Sequence, residues 1–126
     1  MSNILTAFND HFIEFVNDVH CVFPNDADIL ATKNALTTIR KLNPKMIVKI
    51  WNSFIVSKYK SEIDEGNIEF FINKDYSQDV SVSTNSDKIM ESIDRLRDPV
   101  KNMSLENQAK VMKYIQNLTK LSQMCE

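Results

Sequence analysis

One glycine, Gly66, serves a chain of 126 residues, where an average composition supplies roughly 7%. Glycine is the residue that takes left-handed backbone conformations without steric cost, and hairpin turns depend on it. A chain this poor in glycine lacks the tight turns of a many-stranded β architecture. Only three prolines, Pro24, Pro44 and Pro99, punctuate long stretches of good helix formers. The expectation is an all-α fold: a compact bundle of about five to six helices. At this length a single domain over 1–126 buries a core without disulfides or metal.

Apolar spacing places the helices. Leu5, Phe8, Phe12, Phe15, Val16, Val19 and Val22 recur at three- and four-residue intervals over 3–22, which predicts an amphipathic first helix. Asp10, Glu14 and Asp18 form its acidic outer face. Pro24 ends it, and Asn25 or Asp26 is suited to cap a second helix over about 26–42. That helix is expected to bury Ile29, Leu30, Ala35, Leu36, Ile39 and Leu42. Asn43 as a cap and Pro44 in the first turn then open a third helix, about 44–64. Its apolar residues, Met46, Ile47, Val48, Ile50, Trp51, Phe54, Ile55 and Tyr59, cover more than half the circumference, the pattern of a central helix. Lys45, Lys49, Asn52, Ser53 and Lys60 share the remaining strip. Lys58 falls in the apolar sector, so it either snorkels outward or marks a change of helix geometry.

Gly66 supplies a left-handed stop. Asn67 can cap a short helix carrying Ile68, Phe70, Phe71 and Ile72, and residues 77–86 read as a loop. A fifth helix, about 86–97, ends before Pro99, and Ser104 caps a sixth lined by Val111, Met112, Ile115, Leu118 and Leu121. A sub-boundary near 77–86 would separate a helical core, 1–76, from a C-terminal hairpin, 87–126.

Charge is segregated along the chain. Residues 1–28 carry five acids and no lysine or arginine. Residues 29–61 carry Lys33, Arg40, Lys41, Lys45, Lys49, Lys58 and Lys60 and no acid. Two readings follow: the acidic first helix lies beside the basic second and third, or the basic block meets an external acidic partner, nucleic acid included. The net charge of −2 and pI of 5.7 disfavour a dedicated nucleic-acid binder, whose pI usually exceeds about 9. Arg40, Lys41, Lys45 and Lys49 cluster at the joint between two helices and form the expected partner surface.

Catalytic chemistry is not evident. His11 and His20 are nine residues apart, too far for the four-residue spacing of a helical zinc motif. One glycine cannot build a phosphate-cradling loop. No calcium-loop pattern appears in 61–66 or 73–79. The expectation is a non-enzymatic protein without cofactor or metal. Cys21 and Cys125 match no redox or metal spacing and read as reduced thiols. The absence of a basic segment ahead of an apolar run argues against secretion, and no apolar run is long enough for a membrane span.

Taken in order, "VFPNDADI", "IRKLNPKMIVKIW" and "YKSEIDEGNIEFFINKDYSQD" resemble a small protein of the nucleocytoplasmic large DNA viruses (giant viruses) over about residues 12–79. That family has no activity assigned, so the resemblance carries over no site residues. It implies a virion or host-cytoplasmic (viral factory) location and a structural or assembly task with viral or host protein partners, capsid proteins among them. The alternative is a nucleic-acid-associated factor in viral transcription or genome packaging, acting through the basic 33–60 surface. Oligomeric state is open at this stage.

Overall fold

The predicted apolar stripe of the first helix becomes α1 (Ser2–Val22) in the computed structural model, which describes residues 2–72 and 84–125. Phe8, Phe12, Phe15, Val16 and Val19 turn inward and Asp10, Glu14 and Asp18 outward. Helix α2 (Ala27–Leu42) begins at Asp26, whose carboxylate accepts the backbone N–H groups of Asp28 and Ile29. Its inward stripe is Ile29, Thr32, Leu36 and Ile39. Thr32, a polar residue, stands where Leu30 was expected, and Leu30 is 44% exposed. One residue from Ile29 is about 100° around the helix, enough to carry Leu30 off the stripe. Leu42 keeps the stripe's spacing but is the last helical residue, and the chain turns away at Asn43.

The Asn43–Pro44 joint differs from the expected cap. Asn43 terminates α2, with its N–H on the Ile39 carbonyl, and its own carbonyl accepts from Met46. The next helix starts at Met46 and has no side-chain cap. What fixes the joint is Asn9, 2% exposed on α1, whose Nδ2 donates to the Pro44 carbonyl at 2.9 Å.

The central rod runs from Met46 to Glu65 in three parts: α3 (Met46–Ile50), a π-helical segment (Trp51–Val56) and α4 (Ser57–Glu65). The Ser57 N–H reaches the Asn52 carbonyl, five residues back. Trp51, Ile55, Tyr59 and Ile63 are all buried, at four-residue steps. In α geometry such a row drifts by about 40° per step, and the wider π turn offsets that drift so the row stays on the core. Tyr59 then leaves helical geometry (φ −122°, ψ 22°). Lys58 is exposed, and the helix changes geometry on either side of it, in the π segment and at Tyr59. Asn52, expected on the outer strip, is half-buried and donates to the Ser122 carbonyl at 3.0 Å.

Gly66 ends α4 at φ 74°. Asn67 accepts from the Glu69 N–H at the start of α5 (Glu69–Ile72), which inserts Phe70 and Phe71 into the core. The expected loop at 77–86 lies outside the described residues except for 84–86, which already belong to α6 (Thr84–Lys101). That helix runs through Pro99 instead of ending before it. Proline removes one backbone bond and crowds the carbonyl four residues earlier. Only two helical residues follow, however, and Val100 is fully buried. The Gln108 amide also satisfies the carbonyls of Val100 and Lys101 at 3.0 and 3.2 Å. Ser104 caps α7 (Leu105–Met124) through the Asn107 N–H.

Every regular element among the described residues is helical, so the fold is all-α. Helix α7 packs against α1 and the π segment, and α6 packs against α2. Trp51 marks the centre. Its ring meets Phe12 edge-on with centroids 5.5 Å apart, and its Nε1 donates to Thr119 Oγ1 on α7 at 3.2 Å.

Candidate functional site

The sequence-predicted surface is assembled at the α2–α3 corner, but its four residues do not act alike. Arg40 turns back across α1 and pairs with Asp10 at 2.5 Å. This is the one cross-helix ion pair among the described residues that links the acidic first helix to the basic block. Part of the segregated charge is therefore spent within the fold. Both partners are solvated, so the pair fixes geometry more than it adds stability.

Lys41, Lys45 and Lys49 are exposed and make no ion pair or side-chain hydrogen bond among the described residues. Between the first two stands Leu42, 82% exposed. Asn43 and Pro44 are exposed as well, so the whole corner 41–45 projects into solvent. It is nevertheless anchored, because Asn9 holds the Pro44 carbonyl from the protein interior. The corner is therefore basic, carries an exposed apolar tip and has its backbone tied to α1 by a buried amide. Sequence spacing located the lysines. It misplaced Leu42 in the core and missed Asn9, whose role depends on a partner 35 residues away.

A second group lies where α1 faces α7. The Tyr114 hydroxyl donates to Asp18 Oδ2. The His11 ring packs on Tyr114 with centroids 4.7 Å apart, and its Nδ1 lies 3.3 Å from Glu14 Oε1. Burial, reinforced by the Asp18 hydrogen bond and by the carboxylates of Asp18 and Glu14, pushes the Tyr114 phenol well above its usual range. A tyrosine held protonated in this way is a structural donor, the opposite of a nucleophile or base.

Beside this group a cleft of about 250 Å³ opens between the C-terminal half of α1 and the N-terminal half of α7. Phe15, Val19, Val22, Met103 and Val111 give it an apolar floor, with Asp18 and Lys110 also lining it. His11 and Glu14 do not line it, so it does not unite them in a catalytic pocket. A more polar cleft of about 320 Å³ lies between α4 and α7, lined by Lys60, Asp64, Gln116 and Lys120 among others. Lys60 and Asp64 already pair there at 2.8 Å.

Among the described residues no three His, Cys, Asp or Glu side chains are grouped to hold a metal, and no helix is long and apolar enough to cross a membrane. Cys21 is an exposed thiol and Cys125 a half-buried one, with burial pushing the Cys125 thiol up. Comparison with protein families, with curated proteins and with solved structures returns no match to the chain.

Proposed function

We propose that this chain is a non-enzymatic helical interaction protein that docks on a protein partner through the corner formed by Lys41, Leu42, Lys45 and Lys49. The observation that carries the reading is Leu42. A large apolar side chain 82% exposed between two unpaired lysines contributes little to the fold, yet the buried Asn9 amide ties the backbone of that corner to α1. Anchoring an apolar tip before binding reduces the ordering cost of association. The lysines then select an acidic partner and set its rate of approach. Arg40 belongs to the scaffold of this surface rather than to its contact face. The resemblance to small proteins of large DNA viruses makes a structural or assembly role in a virion the favoured setting, with capsid proteins as the expected class of partner.

The same unpaired lysines favour one competing reading, a nucleic-acid contact. A single experiment separates the two. The tagged chain and its Lys41→Glu/Lys45→Glu variant are used for affinity capture from the cells in which the chain is naturally made, with and without nuclease. Protein partners that survive nuclease and are lost from the variant are the expected result. Partners released by nuclease would establish the nucleic-acid reading. In that case DNA affinity should fall with salt at a log–log slope of about −3, for three neutralised phosphates.

A further inference from the structure

The unpaired basic corner has a complement on the same molecule. Glu14 and Asp18, one helical turn apart on α1, pair with no lysine or arginine among the described residues. Glu14 faces His11, whose ring packs on Tyr114, and Asp18 accepts from the Tyr114 hydroxyl, which places both carboxylates at the α1–α7 face. Asp18 lines the cleft whose floor is Phe15, Val19, Val22, Met103 and Val111. Lys110 also lines it but forms no ion pair with either acid. The molecule thus presents an apolar knob flanked by lysines and an apolar hollow lined by Asp18 and Lys110, with Glu14 one helical turn from Asp18 and outside the lining.

From this pairing we infer that a second copy of the chain is the occupant of the cleft: Leu42 of one copy enters the α1–α7 hollow of another, and Lys41 and Lys45 meet Glu14 and Asp18. The inference rests on the reading of the corner as a contact surface and names one partner for it.

Size permits the fit. An apolar cavity of about 150 Å³ takes a benzene-sized group, so a cleft of about 250 Å³ takes a leucine side chain. Charge then decides which surfaces meet. A contact of corner with corner would set lysines against lysines, and like charges brought together in an interface are costly. A contact of corner with cleft joins opposite signs. Within one chain Arg40 and Asp10 already show this match between the basic block and α1. Lys41, in the last turn of α2, and Lys45, just ahead of α3, extend it to a neighbour because both are exposed and pair with no acid of α1 among the described residues. Unlike patches on one surface can close a ring or dimer or propagate an open array, according to the rotation between copies.

Sedimentation equilibrium of the full chain, from about 1 µM to about 1 mM, measures the association directly. The expected result is a mass that rises with concentration and falls back towards the monomer as salt is raised. Leu42→Asp should abolish association, and Lys41→Glu/Lys45→Glu or Glu14→Lys should each weaken it about tenfold. All these positions are exposed, so helicity by circular dichroism should be unchanged. The deciding step is the mixture: the Lys41→Glu/Lys45→Glu variant with the Glu14→Lys variant should associate better than either alone, because each supplies the sign that the other lost. A monomer at every concentration overturns the inference, as does association indifferent to Leu42 or unrestored in the mixture. Loss of a captured protein partner from the lysine variant, with the pure chain monomeric, would overturn the self-contact while leaving the corner as a docking surface.

Discussion

At the scale of single residues, the polar groups that matter most are those committed to one partner. Tyr114 is the plainest case. Its hydroxyl donates to Asp18, its ring lies between His11 and Phe15, and its phenol holds the proton more firmly than a free tyrosine does. The consequence for stability has a definite sign. Unfolded tyrosine titrates near pH 10, while the folded protein keeps this proton to higher pH. Above that point the unfolded state binds fewer protons, so stability is complete below about pH 10 and declines as pH rises further. Tyr114→Phe removes both the hydrogen bond and the titration. At neutral pH the variant should lose about 1 kcal/mol, the usual worth of one such bond at a partly exposed site. Urea midpoints for the two proteins should then converge between about pH 9 and pH 11. A gap that stays constant across that range would show that neither burial nor the Asp18 bond favours the protonated phenol.

At the scale of helices, local chemistry sets where elements start and stop, and Gly66 carries the sharpest constraint. At φ 74° it is the one described residue in the left-handed region, and it lets the Gly66 and Asn67 N–H groups reach the carbonyls of Ile63 and Glu62. A Cβ placed there would meet only Gln116 Nε2 at 3.6 Å, an ordinary contact. The cost of Gly66→Ala is therefore conformational, about 1–2 kcal/mol, and should appear as a lowered denaturant midpoint with unchanged slope. This stop was legible in the sequence, as were the Asp26 and Ser104 caps and the short α5, because each depends on neighbours a few residues away. The features that were not legible depend on distant packing. Nothing local in "WNSFIV" marks a π turn; it follows from keeping Trp51, Ile55, Tyr59 and Ile63 on one core. Pro99 is carried inside α6 by buried Val100 and by Gln108 on another helix. The candidate site divides the same way. Its lysines were visible as a block without acids, whereas the withdrawal of Arg40 to Asp10, the anchoring by Asn9 and the exposure of Leu42 are tertiary facts.

At the scale of the molecule, the question is whether the N-terminal helices and the pair α6 and α7 behave as one cooperative unit. The buried apolar residues of all the long helices join in a single cluster. Its polar fastenings also cross between the two halves of the chain: Trp51 to Thr119, Asn52 to Ser122, Gln116 to the end of α4, and Tyr114 to Asp18. Each of these ties α7 to α1 or to the central rod, so α7 cannot leave without exposing the tryptophan it covers. Trp51 is the sole tryptophan and is 1% exposed, which makes its fluorescence a reporter of that contact, while far-UV circular dichroism reports total helix. If the chain is one domain, the two signals should follow the same urea transition, with one midpoint and one slope. A C-terminal hairpin that melts by itself would uncover Trp51 while most of the ellipticity remained, placing the fluorescence midpoint at the lower urea concentration. A Thr119→Val variant sharpens the comparison by removing the acceptor of the indole N–H, together with the hydroxyl's own bond to the Ile115 carbonyl within α7. In a single cooperative unit it should lower both midpoints together by an amount equivalent to about 1–2 kcal/mol; a shift confined to the fluorescence curve would mark α7 as the separable part.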